Sequence, residues 1–169
     1  SLHLPPGGRD RLRAILEAVT FPEDFCANTF TVEEYAVDSA IALGDLSLTA
    51  SAARHYIPGY AFRLETGEGA DQRSLAYSGD TAPSPGVTAL ARDCDLFLCE
   101  ATLDEPEDRE MIGHCTPEQA ARMAAEAGAK RLVLTHFWFG TDTAAIGERA
   151  RAAGPVPVDI ASDGLQITI

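Results

Sequence analysis

A change of grammar near the middle of the chain constrains its fold more than any other feature. Between residues 29 and 65 the apolar residues fall in short β-favouring runs, among them Phe30, Val32, Ile41, Leu43, Leu46, Leu48 and Thr49, with a turn signal at Gly44-Asp45. Tyr60, Phe62 and Leu64 alternate with Ala61, Arg63 and Glu65, the period of a half-buried strand. Residues 67–71 read as a hairpin loop and 75–78 as its return strand. Beyond Asp80, strands alternate with helices. Val87, Leu90 and Ala91 mark a short helix, and 95–99 a buried strand. Thr116, Pro117 and Gln119 form a capping box with the favoured early proline, opening a helix that stops at Gly128. Leu132-Val133-Leu134 is a second buried strand, 144–152 a helix, and 156–161 and 165–169 closing strands around Asp163-Gly164. Near the start, Leu12, Ile15, Leu16 and Val19 recur at helical spacing over 10–19, after the turn at Pro5-Pro6-Gly7-Gly8. This order predicts an α/β fold, a sheet covered by helices on one face. Its other face requires a second sheet that the chain does not visibly complete.

With 169 residues the chain reads as one domain, large enough to bury a core. It has no run of eighteen apolar residues, so no membrane span is expected, and no secretory signal is visible. The formal charge is −13, from 13 basic and 26 acidic residues. Such a chain repels phosphate backbones unless its cations cluster. The densest cluster in the sequence is Arg9, Arg11 and Arg13, interrupted by Asp10. A long nucleic acid is therefore not the expected partner, whereas a small or short phosphoester remains open. Cys26, Cys94, Cys99 and Cys115 form no C-x-x-C pair, which points to a reducing, cytoplasmic setting.

Five polar residues fall at strand ends or on the loops beside them. His55 lies in Arg54-His55-Tyr56-Ile57-Pro58-Gly59-Tyr60, Asp80 in Tyr77-Ser78-Gly79-Asp80-Thr81, and His136 ends Leu132-Val133-Leu134-Thr135-His136. Two imidazoles and a carboxylate suit zinc or a similar divalent ion, yet are too few for two metals. Each has a plainer reading, as a turn residue for Asp80 or a surface or core histidine for His55 and His136. Phe137-Trp138-Phe139 would be core or the wall of a pocket. His114, in Gly113-His114-Cys115-Thr116-Pro117, is a loop histidine or a proton donor to a leaving group. Glu100 follows an apolar strand, where a carboxylate needs a partner. That partner would be either His114, oriented and held in its charged form, or an arginine.

These segments, in this order, resemble the metallo-β-lactamase fold hydrolases, and within them the ribonuclease Z-like branch. They are His55 with Gly59-Tyr60-Ala61-Phe62-Arg63-Leu64-Glu65, Tyr77-Ser78-Gly79-Asp80-Thr81, Cys99-Glu100-Ala101-Thr102, Gly113-His114-Cys115-Thr116-Pro117-Glu118-Gln119-Ala120-Ala121 and Leu132-Val133-Leu134-Thr135-His136-Phe137. The resemblance implies an αββα sandwich with two divalent metals, zinc in the first instance. His55 would hold one metal, Asp80 would bridge, and His136 would hold the other. Glu100 and His114 would assist leaving-group protonation while a metal-bound hydroxide attacks, in a phosphodiesterase-like reaction. The same metals would also serve a lactone, ester or thioester hydrolase, and a scaffold that has lost the metals is the non-catalytic alternative. The family's His-x-His-x-Asp-His segment is absent and would lie before Ser1, where Leu2-His3-Leu4-Pro5-Pro6-Gly7 resembles a later strand and turn. Residues 1–169 are therefore expected to be one domain's C-terminal portion, forming a homo-oligomer or pairing with the missing N-terminal segment. The short loop 66–73 stands where ribonuclease Z carries a long tRNA-gripping insertion, which argues against tRNA.

Overall fold

The structure, a computed structural model, describes residues 1–22, 24–108 and 112–169. Nine strands and five helices are described: β1 (Leu2–Leu4), α1 (Gly8–Ala18), α2 (Phe25–Thr29), β2 (Val32–Glu34), β3 (Ala40–Leu43), β4 (Leu46–Ala52), β5 (Tyr60–Thr66), β6 (Arg73–Tyr77), α3 (Pro85–Leu90), β7 (Leu96–Glu100), α4 (Pro117–Ala127), β8 (Leu132–Thr135), α5 (Thr143–Ala153) and β9 (Val158–Ile160). Strands β3 to β9 form one seven-stranded sheet in chain order, and β1 and β2 pair separately and in parallel. The pairs from β3 to β6 are antiparallel, and those from β6 to β9 are parallel. The change of grammar read in the sequence is this change of pairing. Short loops join the first strands, and helices carry the chain between the later ones.

One face of the sheet is the core. Ala61, Ala76, Phe97, Cys99, Leu132 and Leu134 point toward the helices and meet Val87 of α3, Met123 and Ala124 of α4 and Ile146 of α5. The inner face of α4 is mostly alanine, which lets the helix lie close to the sheet and enclose the fully buried Phe97 and Leu132. Burying each of those side chains contributes about 1.5–3 kcal/mol. The ends of α4 are as read: Thr116 and Gln119 make the reciprocal capping box, and Gly128 adopts the left-handed conformation, φ 69°.

The opposite face carries Leu48, Leu64, Leu75 and Leu98, all partly exposed. Its two ends are flanked by short segments. His3, Pro5 and Tyr35 line one cleft with Leu48, Phe62 and Leu64, and Leu165, Ile167 and Ile169 line another with Leu75, Leu98 and Val133.

One expectation is corrected, and one element is added to those read from the sequence. Residues 165–169 are not a strand. Their apolar alternation reflects one-sided contact with the sheet face, a pattern that needs no ladder partner. Helix α2 lies in a stretch the sequence left unread, because a single turn is too short to show a 3.6-residue period. Phe25 makes a tilted ring contact with Phe21 and an edge-to-face contact with Phe30.

Candidate metal centre

Strands β4 and β6 are both antiparallel to β5, and β6, β7 and β8 are mutually parallel, so β4, β6, β7 and β8 all end at one edge of the sheet. His55 follows β4, Asp80 follows β6, Glu100 ends β7 and His136 follows β8. His114 joins them from the loop entering α4. Four of the five residues singled out in the sequence thus share one edge through strand direction, and the loop carrying His114 reaches the same edge, where α/β sheets place their sites.

The turn into Asp80 depends on Gly79. Its φ is 58°, and a Cβ there would stand 2.7 Å from the Tyr60 carbonyl oxygen, so a side chain is excluded by both torsion and space. Glu100 is the hub. It is 1% exposed, and its carboxylate is fully engaged. Oε1 accepts from the Thr81 N–H at 2.7 Å and pairs with His114 Nδ1 at 2.7 Å. Oε2 accepts from the Thr102 N–H at 3.2 Å, the Thr102 hydroxyl at 2.7 Å and the Cys115 N–H at 3.2 Å. The open alternative, an ion pair of Glu100 with an arginine, is not found among the described residues; its ionisable partner there is His114.

Thr102 extends this order to His136, and its role was not read from the sequence. Its hydroxyl lies 2.7 Å from His136 Nδ1 and 3.0 Å from the His136 carbonyl oxygen. A hydroxyl has one proton. Given to the Glu100 carboxylate, it leaves the Thr102 oxygen to accept from His136 Nδ1–H. His114 likewise donates Nδ1–H to Glu100. His136 then keeps its Nε2 lone pair for a ligand, the arrangement by which outer hydrogen bonds orient metal-binding histidines, and His114 keeps Nε2 as the atom that can take up and pass on a proton. His136 also has φ 62°, a strained backbone for a non-glycine residue.

The ring of His114 lies 5.0 Å from that of His55 and stacks 5.6 Å from that of His136. Asp80 Oδ1 lies 3.7 Å from His136 Nδ1. Tyr56 packs against both His55 and His114, and its hydroxyl donates to Glu107, which also accepts from the His114 N–H. Trp138 is 70% exposed and Phe139 is fully exposed, so of the three aromatics only Phe137 packs on the core.

The tightest set of ligand-type atoms is Glu100, His114 and His136, all within 4.8 Å of one another. The sequence expectation was His55, Asp80 and His136, and the structure puts Asp80 beside His136, with His55 one ring away across His114. The hydrogen bonding separates the two sets. Both Glu100 oxygens are already occupied by protein donors, as a positioning carboxylate requires. The Asp80 carboxylate has His136 as its only polar partner among the described residues, and the His55 ring bonds no polar group there. Free lone pairs on His55, Asp80 and His136 fit a divalent ion, and their number is short of two full coordination shells.

A layered α/β sheet with a histidine and carboxylate centre at its strand ends defines the class. Residues 2–137 match the family described as the Beta-lactamase superfamily domain, and the chain belongs to it as a metallo-β-lactamase fold, ribonuclease Z-like protein. It is 32% identical over 146 residues to the uncharacterized protein ML1173 of Mycobacterium leprae, covering 85% of this chain and 50% of that one. It is 40% identical over 101 residues to the ribonuclease Z of Myxococcus xanthus, covering 57% of this chain and 33% of that one. Among solved structures it is similar to the metallo-beta-lactamase fold protein YhfI from Bacillus subtilis, with a TM-score of 0.74 and 22% identity over 92% of this chain and 61% of that one. It is also similar to the short form of human tRNase Z, with a TM-score of 0.66 and 25% identity over 99% of this chain and 66% of that one. The chain spans about half the length of the first of these curated relatives.

Proposed function

We propose that this chain carries the C-terminal half of the active site of a metal-dependent hydrolase acting on a small or short phosphodiester. His55, Asp80 and His136 would hold two divalent ions, zinc in this reading, together with ligands from elsewhere in the polypeptide. The bound ions would supply Lewis acidity and an activated water. The observation that carries the reading is the 2.7 Å contact of His114 Nδ1 with the buried Glu100. Glu100 fixes the ring so that His114 Nε2 is the atom able to hand a proton to a leaving alkoxide. A phosphodiester has such a leaving group. The likeness to ribonuclease Z of Myxococcus xanthus supports the same chemistry, and the short 66–73 loop argues against a tRNA substrate. A reducing, cytoplasmic setting is supported by four free thiols, three of them buried. Among the described residues no helix is long and apolar enough to cross a membrane.

The test uses the full polypeptide. Metal content by mass spectrometry is expected near two ions per chain. Bis(p-nitrophenyl) phosphate is expected to be hydrolysed faster than any member of a lactone and thioester panel. Asp80→Ala is expected to remove that activity. Intact turnover in Asp80→Ala would refute the site, and preference for a lactone would move the reading to carboxylic ester chemistry.

A further inference from the structure

The sequence shows no dense basic cluster beyond Arg9, Arg11 and Arg13, yet the fold makes one from distant parts of the chain. A groove of about 610 Å³ between α3 and α4 is lined by Arg54, Arg92 and Arg122. Six of the twelve described lysines and arginines pair with a carboxylate: Arg13 with Asp10, Arg63 with Glu65, Lys130 with Asp95, Arg131 with Asp159, Arg149 with Glu118 and Arg151 with Glu148. The guanidiniums of Arg54, Arg92 and Arg122 have no carboxylate or hydrogen-bond partner among the described residues. In a chain of net charge −13, three unpaired arginines sharing a groove with a single carboxylate, Glu126, are the reverse of the surface around them. Mutual repulsion disfavours such a group unless an anion offsets it.

We infer that this groove binds a condensed phosphate, the di- or triphosphate group of a small anion. Guanidinium forks match phosphate oxygens bidentately. The three arginines come from three places along the groove: the end of β4, the residues just after α3, and the middle of α4. The six residues of α3 alone span about 9 Å, so the charges suit an extended polyanion better than a single orthophosphate. Polar groups accompany them. Ser84 caps α3, and Gln119 has its amide oxygen bonded by the Thr116 N–H, leaving its NH₂ to donate. The groove lies in the helical layer, across the sheet from the open apolar face, so a segment covering that face would leave it free. It also touches the metal centre: the Arg54 N–H donates to Thr81 Oγ1 at 3.0 Å, one residue beyond Asp80.

The inference does not rest on the hydrolase reading, and its test separates the two. The full polypeptide carrying Asp80→Ala, in the presence of a chelator, is titrated calorimetrically with tripolyphosphate, so that no bound metal competes for the anion. Saturable binding is expected, at least tenfold tighter than for orthophosphate and weakening as salt rises. Arg92→Ala with Arg122→Ala, both at exposed positions, is expected to weaken it at least tenfold with an unchanged melting temperature. A nucleoside triphosphate bound more than tenfold tighter than tripolyphosphate would assign the anion to a nucleotide, and equal affinity to a free polyphosphate. Absence of saturable binding, or equal binding by the double variant, would overturn the inference.

Discussion

At the scale of single residues, the candidate site is organised by what its histidines lean on. Glu100 sets the ring of His114 directly and that of His136 through Thr102, so one buried carboxylate fixes two imidazoles. Thr102→Val keeps the shape of the side chain and removes the hydroxyl. It leaves His136 Nδ1–H without its acceptor. In the full polypeptide we expect metal affinity to fall about 10–100-fold, measured by competition with a chromogenic chelator. Thr102→Ser is expected to restore it, since the hydroxyl returns. Equal affinity in the valine variant would show that the hydroxyl does not orient His136. Thr102 was visible in the sequence only as part of a family-like segment. Its partner is 34 residues away, and no local pattern announces a contact of that range.

At the scale of elements, the C-terminal layer is fastened by one cross-helix pair. Arg149 of α5 meets Glu118 in the first turn of α4 with two contacts, Nε to Oε1 at 2.7 Å and a second terminal nitrogen to Oε2 at 3.1 Å. The Arg149 guanidinium holds the Glu118 carboxyl down at about 2, from an ordinary value of 4.5. A carboxyl whose folded value is depressed contributes stability that is fully present above its unfolded value and is lost as pH falls through the folded one. The contribution is therefore complete above about pH 4.5 and vanishes toward pH 2. Both side chains are about a third exposed, so solvent screens the pair and its worth is about 1 kcal/mol. Urea melts of Arg149→Met in the full polypeptide are expected to show that loss at pH 6 and little of it at pH 2.5. A loss that does not change with pH would mean the arginine acts through packing alone. At this scale the sequence was most legible. The α4 capping box and its terminal glycine were read residue by residue because their chemistry lies within one turn, whereas α2 and the course of 165–169 depend on distant surfaces.

At the scale of the whole molecule, the two faces of the sheet differ. The helical face is closed by Phe97, Leu132 and Leu134, and the other leaves Leu48, Leu64, Leu75 and Leu98 partly open. Apolar residues left partly open on one sheet face are those a covering segment would bury. The chain spans about half the length of the first of its curated relatives, so we propose that further residues of the same polypeptide cover it. Sedimentation velocity of the isolated 169-residue chain is then expected to show self-association, and of the full polypeptide a discrete species. A stable monodisperse monomer of the isolated chain would argue that the face needs no cover.

The sequence by itself determined most of the elements, though not α2 or the course of 165–169, together with their order and the placing of His55, Asp80, Glu100, His114 and His136 at strand ends or in adjoining loops. Periodicity, caps and turns act over a few residues and are written locally. Tertiary structure decided which of those residues are tied together, and by what. The direction of β4, β6, β7 and β8 brought them to one edge, the saturated bonding of Glu100 marked it as a support for the histidines, and Thr102 was drawn into that support. It also gathered Arg54, Arg92 and Arg122 into one groove. Those outcomes depend on packing between segments tens of residues apart, where the strength of an interaction is set by distance and burial in the folded chain and by nothing in the local sequence.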